Sequence, residues 1–471
     1  MTPEQGERTS LRRNSLSLIE VIALSVSIIA PTMAMSLNTP LVAGASSGAV
    51  ALTFLIATAA MVLVGFSFVE FSRRLPSAGS AFTYVSHGLG ASTGFVAGWA
   101  LLLTYWCYAA GTAAAFGSFF AIFLQHFDLS VPWWIWTSCA LVGIWGMGIT
   151  NVRLSTRTAL LIEAISMAII LALVIVILMR GGASGYTAAP FLPQVTGFSG
   201  IGFGIVYCIL SFAGFEGAAT LGEEAAHPHR AVPWAVLGTV IIAGAFYVLV
   251  GFAQTIGFGM GAIPTFAKDA APLDTLAQRF VGGPMGAIVD LGAAISAFAC
   301  ALGSATAGSR MLFALSREHL LPFRLAQVSA GRGTPVAAFT AVAATALIAD
   351  LVWSRAGALN VYSYWGTLGT LTLIVTYLLV NLAAIRFFAK DHTSWLIGRH
   401  LIIPAAGILI LLWPLYNSVW PLQEGVLGIL PFVAVAWLVA GAVRILLIPR
   451  SSRAQIGRTA VLSAAEGGED A

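Results

Sequence analysis

Ser211-Phe-Ala-Gly-Phe-Glu216, followed by Glu223-Glu224 and Pro228-His-Arg-Ala-Val-Pro233, interrupts an apolar segment running over 201–221. Two small residues and an acid make a poor continuous helix. Glycine costs roughly 1 kcal/mol against alanine in a helix interior, and a carboxylate at the centre of a bilayer costs at least about 2.5 kcal/mol on insertion scales. A break at Ala213-Gly214 leaves backbone N–H and C=O groups at membrane depth, where they must find partners within the protein or on something bound there. The plain alternative is a kinked packing helix that buries a neutral Glu216.

The rest of the chain places that segment in a membrane. Of 471 residues, 58% are hydrophobic and 9% charged, and the mean hydropathy is +0.90, whereas soluble domains carry about 25% charged residues. The apolar stretches 16–44, 49–71, 90–124, 133–150, 157–179, 201–221, 233–257, 285–316, 335–353, 361–388, 401–420 and 427–448 give about twelve segments long enough to span. The expected fold is therefore all-α and integral to the membrane. Residues 1–15 read as a polar cytoplasmic segment without the short apolar core and cleavage site of a signal peptide. Residues 449–471 read as a disordered cytoplasmic tail. In the loop around 259–283, Leu273-Asp-Thr-Leu-Ala-Gln-Arg-Phe280 reads as a short amphipathic surface helix.

Charge sets the orientation. With both termini cytoplasmic, only Arg180, Lys268, Arg279 and Arg355 of the 23 Lys and Arg fall on the outer side. An error of one in helix number would scramble this asymmetry, so the positive-inside rule supports count and topology together. The basic residues are scattered over many short loops, which excludes a nucleic-acid footprint. Cys107, Cys139, Cys208 and Cys300 lie in apolar segments without metal-site spacing and read as small hydrophobes. Pro228 breaks the geometry that His227 and His229 would need for a metal site, so no metal and no cofactor is expected.

The first apolar segment is broken as well. Pro31 sits near its middle, in Ser27-Ile-Ile-Ala-Pro-Thr-Met-Ala-Met-Ser-Leu-Asn-Thr-Pro40. A proline removes one helix hydrogen bond and costs about 3 kcal/mol in a plain helix. The breaks fall in segments one and six. A five-helix repeat inverted in the membrane would put them in corresponding positions, and paired discontinuous helices point to a solute site at the midplane.

Three motifs in order then resemble the amino acid–polyamine–organocation superfamily of secondary transporters. Ser211–Glu216 with Glu223-Glu224 and Pro228–Pro233 resembles that family's sixth helix and following loop. Gly79-Ser-Ala-Phe-Thr-Tyr84 with Gly90, Gly94-Phe95 and Gly98-Trp99 resembles the entry to its third helix. Ala307–Arg317 with Leu321-Pro322 and Thr334-Pro335 resembles its eighth helix and the loop after it. The resemblance implies a LeuT-type 5+5 inverted repeat, here 16–179 and 201–388, with two further helices at 401–448. It implies a permease of the plasma membrane and no enzymatic activity. The solute would be an amino acid or amine, moved by alternating access with proton-coupled symport or exchange. A sodium-coupled symporter and a non-transporting sensor are the alternatives, and the oligomeric state stays open. Two departures stand out. Relatives carry a Gly-Ser/Ala-Gly run where this chain has Ala30-Pro31-Thr32, and Ser166 stands where some relatives place a lysine, with Glu163 one turn before it.

The expected solute site comprises Ile29, Ala30, Pro31, Thr32 and Met33 from the first break, Phe212, Ala213, Gly214, Phe215 and Glu216 from the second, and Tyr105 as an aromatic wall. Glu216 and Glu163 are the expected proton-coupling acids. Ser304 and Thr306, with Ser296, are the hydroxyls that a sodium ion would use. Asp290 and Asp350, near segment ends, are expected at the interface, and the Tyr362, Tyr364 and Trp365 group reads as a membrane anchor or a wall of the site. Bulk at either break should abolish ligand-induced thermal stabilisation while leaving expression and monodispersity intact. Ala30→Trp and Gly214→Trp test this, because a purely packed interior would instead lose about 1–3 kcal/mol of stability and yield.

Overall fold

In the computed structural model, residues 26, 29–75, 80–150, 156–183, 185–216, 228–317, 321–327, 335–390 and 395–447 are described. The loop carrying Glu223-Glu224, Thr334 and the terminal segments 1–15 and 449–471 lie outside them. Helices occupy every apolar segment expected from the sequence, and the described residues contain no strand. They are α1 (Pro31–Ser46), α2 (Val50–Arg74), α3 (Ser80–Leu89), α4 (Ala91–Gln125), α5 (Trp133–Thr150), α6 (Thr156–Met179), α7 (Gly197–Phe212), α8 (Pro228–Phe258), α9 (Pro272–Phe280), α10 (Gly283–Arg317), α11 (Val336–Val352), α12 (Ala358–Ala389), α13 (Ile403–Val419) and α14 (Val426–Leu446). Among the described residues, 8 helices are long and apolar enough to cross a membrane.

The helices pack in a regular pattern. α1 runs along α7, α2 along α8, α4 along α10 and α5 along α11. α12 lies against α4, and α13 and α14 cover the α12 side. The contact faces are rich in small residues. Ala109, Ala110, Ala113, Ala114 and Ala115 of α4 are all buried. In a bilayer, lipid competes with any apolar side chain, so close backbone approach and interhelical hydrogen bonds hold helices together. Trp99 and Trp437 show both: their rings stack at 4.4 Å, and each indole N–H donates to the other's backbone carbonyl, at 2.9 and 2.8 Å.

Two expectations change. The entry to the third segment is a separate helix, α3, divided from α4 by Gly90 at φ 100°. A Cβ on Gly94 would lie against Ser86, so α3 folds back tightly on the start of α4. The helix over 273–280 is present as the amphipathic surface helix expected: Leu273, Asp274, Leu276, Ala277 and Phe280 are buried, while Thr275, Gln278 and Arg279 are exposed. Asp290 and Asp350 are each 1% exposed instead of interfacial, because the ends of α10 and α11 are covered by neighbouring elements. Cys107 and Cys208 are buried as expected, whereas Cys139 lies on the outer face of α5.

Gly88 marks the closest approach of α3 to α12: a Cβ there would stand 2.6 Å from the Ala383 carbonyl oxygen. Backbone cannot yield as a side-chain tip can. Gly88→Ala is expected to destabilise by about 1–3 kcal/mol, read as a lower melting temperature in detergent. Gly303→Ala, with open space at its Cβ, should leave the melt unchanged.

Candidate functional site

Both expected breaks are present. Ala30, just before α1, has φ 47° and ψ 62°, a left-handed conformation that costs an alanine roughly 1–2 kcal/mol. It turns the chain so that Pro31 begins α1, where a missing N–H is harmless. The N–H of Thr32 donates to Glu163 Oε1 at 2.8 Å, that of Met33 to Ser296 Oγ at 3.4 Å, and that of Ala34 to the Ala30 carbonyl at 3.0 Å. The Ser296 hydroxyl also engages the Glu163 carboxylate. Glu163 comes from α6 and is 5% exposed, so it is sealed against α1 rather than reaching water at a helix end.

The second break has the same logic. α7 stops at Phe212, Ala213 turns at ψ 128°, and Gly214 takes φ 103°, which needs a glycine. The Gly214 N–H donates to Glu216 Oε2 at 3.1 Å. The Tyr377 hydroxyl of α12 donates to the same oxygen at 3.0 Å. The N–H groups of Ala213 and Phe215 bond the carbonyls of Leu210 and Phe212. Phe215 is buried among Phe68 and Tyr377, with ring centroids 5.7 Å away in each case.

A polar chain joins the two broken helices. Asn38 of α1 donates to Ser211 Oγ at 2.7 Å, and Tyr362 of α12 donates to Asn38 Oδ1 at 2.9 Å. Tyr247 of α8 donates to the Ser211 carbonyl at 2.7 Å. Beside it, Gln254 of α8 donates to the Met35 carbonyl at 2.9 Å. Tyr362 is 1% exposed, which removes it from the membrane-anchor class.

Ile29, Ala30, Pro31, Thr32, Met33, Phe212, Phe215 and Glu216 are buried, while Tyr105, Ala213 and Gly214 are partly so. Tyr105 lies near enough to interact electrostatically with Glu216, and its base meets Gly308 of α10. Ser304 and Thr306 stand apart from Ser296, since ten residues of helix span roughly 15 Å. The Thr306 hydroxyl donates to its own helix, at Leu302 O, 2.7 Å. Surface depressions lie at Pro264–Asp269 and beside Thr196 and Pro421, away from both breaks.

Sequence reading missed Asn38, Tyr247, Gln254 and Tyr377. Each is a polar residue inside an apolar helix, which was the available signal; which of them faced a partner needed the packing. It also missed a set that could hold a metal ion, His126, Asp274 and Asp290. His126 Nε2 lies 3.2 Å from Asp290 Oδ2 and 3.4 Å from Asp274 Oδ1. Gln278 donates to both Asp274 oxygens. The three donors come from α9, α10 and the end of α4, so no spacing in the sequence announces them.

An amino acid permease family model matches residues 20–454. The chain belongs to the amino acid permease family. The resemblance to the amino acid–polyamine–organocation superfamily therefore holds, and the family consists of transporters rather than enzymes. The chain is 25% identical to a branched-chain amino acid permease of Lactococcus lactis, over 86% of this chain and 91% of the relative. It is 26% identical to the methylthioribose transporter of Bacillus subtilis, over 88% and 90%. It is 25% identical to a low-affinity putrescine importer of Escherichia coli, over 96% and 97%. The permease is a multi-pass membrane transporter of small solutes.

The Tyr362–Asn38–Ser211 chain is buried at every member. Stranding a buried partner costs about 1–3 kcal/mol. Asn38→Ala and Tyr362→Phe should each lower the melting temperature. Tyr362→Phe should cost far less in the Asn38→Ala background, because the hydroxyl has already lost its acceptor; a double-mutant cycle in detergent reads this coupling.

Proposed function

We propose that this permease is a secondary transporter of an amino acid or amine-like solute in the plasma membrane, working by alternating access with both termini cytoplasmic. Its solute would sit between the α1 and α7 breaks, among Ala30–Met33, Phe212–Glu216 and Tyr105. The observation that carries this reading is the pair of breaks, each pinned by a buried glutamate from within the protein. A bilayer offers no water to repair broken backbone, so such breaks persist where they serve a site.

The helix pairing supports the inverted repeat of 16–179 and 201–388. α1 with α7, α2 with α8, α4 with α10 and α5 with α11 are partners at equal steps, as a pseudo-twofold relation between halves requires. The bundle formed by α1, α2, α7 and α8 would rock against the remaining helices. The relatives named above include carriers of an amino acid, an amine and a thio-sugar, so the family alone leaves the solute class wide.

Proton coupling is favoured over sodium. Glu216 accepts from both the backbone of the break and Tyr377 of α12, so a change in its protonation would alter a contact between the broken helix and its neighbour.

Uptake into proteoliposomes should follow an imposed pH gradient and persist when sodium is removed. Glu216→Gln should stay monodisperse but lose about tenfold or more of uptake, since a hydrogen bond to a charged group is worth about 1.5–3 kcal/mol and 1.4 kcal/mol is tenfold. Uptake that collapses only without sodium would reverse the coupling assignment. Unchanged uptake by Glu216→Gln would make that residue structural.

A further inference from the structure

The two breaks differ from open anion sites in one respect. A helix N-terminus ordinarily presents unpaired N–H groups and a partial positive charge, which suits a carboxylate. At α1 those donors are taken. Pro31 has none, Thr32 gives its N–H to Glu163 at 2.8 Å, Met33 to Ser296 at 3.4 Å and Ala34 to Ala30 at 3.0 Å. At the other break the Gly214 N–H is held by Glu216 at 3.1 Å, and the N–H groups on either side bond backbone carbonyls. Each of these N–H groups has an oxygen acceptor within the protein.

The buried charge is one-sided. Among the described residues, Glu70, Glu163, Glu216, Asp274, Asp290 and Asp350 are buried, and no lysine or arginine is. A carboxylate entering between the breaks would meet two glutamates and no buried lysine or arginine; the N–H groups named above are taken, which leaves the Thr32 hydroxyl as the unpaired donor there. An ammonium group would meet the acceptor oxygens of Glu163 and Glu216, and a carboxylate favours a cation beside it.

We infer that Glu163 and Glu216 stand in for the solute's own carboxylate, so that the preferred solute of this permease is a cationic amine without a carboxylate. The inference rests on the transport site lying between the breaks. Glu163 acts here as a specificity-determining residue: it fills the α1 N-terminus and sets the sign of charge that the site accepts.

Pairs of compounds that differ only by a carboxylate test this directly: cadaverine against lysine, agmatine against arginine, and isobutylamine against valine. Binding is measured by thermal shift on the purified full-length protein, and uptake by counterflow in proteoliposomes. In at least one pair the amine is expected to bind about tenfold or more tightly than its amino acid, one decade in Kd. Glu163→Ala, which frees the Thr32 N–H, should narrow or reverse that ratio. Glu163→Gln keeps the shape and an acceptor while removing the charge, so it should weaken the amine without improving the amino acid, and it serves if the alanine variant does not fold. Wild-type protein that binds the amino acids as well as the amines overturns the inference and leaves the transport reading standing. A folded Glu163→Ala with an unchanged ratio overturns the role of Glu163. If none of the six compounds binds or is carried, both the inference and the amino acid or amine reading fall.

Discussion

Backbone hydrogen bonding inside a medium without water governs this structure. Every N–H and C=O at membrane depth must be satisfied by the protein, since each orphan costs several kcal/mol in hydrocarbon. Along most of the chain, continuous helices meet that demand by themselves. At Ala30-Pro31 and Ala213-Gly214 they cannot, and the solution is the same in both places. A glutamate reaches the freed donor, Glu163 from another helix and Glu216 from the same turn. The acids expected to be costly in a membrane are thus the groups that make the breaks tolerable.

These acids also tie the broken helices to their surroundings. Glu163 couples α1 to α6 and, through Ser296, to α10. Glu216 couples the end of α7 to α12 through Tyr377. The Asn38–Ser211 bond and its tyrosine partners hold α1, α7, α8 and α12 in one polar seam. Breaks, acids and seam form a single network, and a solute exchanging with it would perturb several helices at once.

Close packing supplies the rest of the precision. Where α3 meets α12 at Gly88, or α8 meets α2 at Gly244, a Cβ would collide with its neighbour. Such contacts replace the hydrophobic drive that lipid cancels. The stacked and mutually hydrogen-bonded Trp99 and Trp437 fasten α14 to α4 in the same way, which explains how helices outside the paired set remain part of the body.

Much of this was legible in one dimension. Apolar length, the Pro31 interruption and the Ala213-Gly214 interruption are local properties, because a proline without an N–H and a glycine without a Cβ change the helix wherever they fall. The helical segments and both breaks follow from them, and the ordered motifs carried the family. Partners were not legible. Asp290 and Asp350 looked interfacial by position and are buried; Tyr362 read equally as an anchor or as a wall of the site, and it holds Asn38. His126, Asp274 and Asp290 meet from distant parts of the chain. Sequence by itself determined where the backbone must break and that acids lie near, since those are consequences of each residue's own chemistry. Only the tertiary structure decided which carboxyl oxygen receives which freed N–H, because that depends on how helices far apart in sequence are brought side by side.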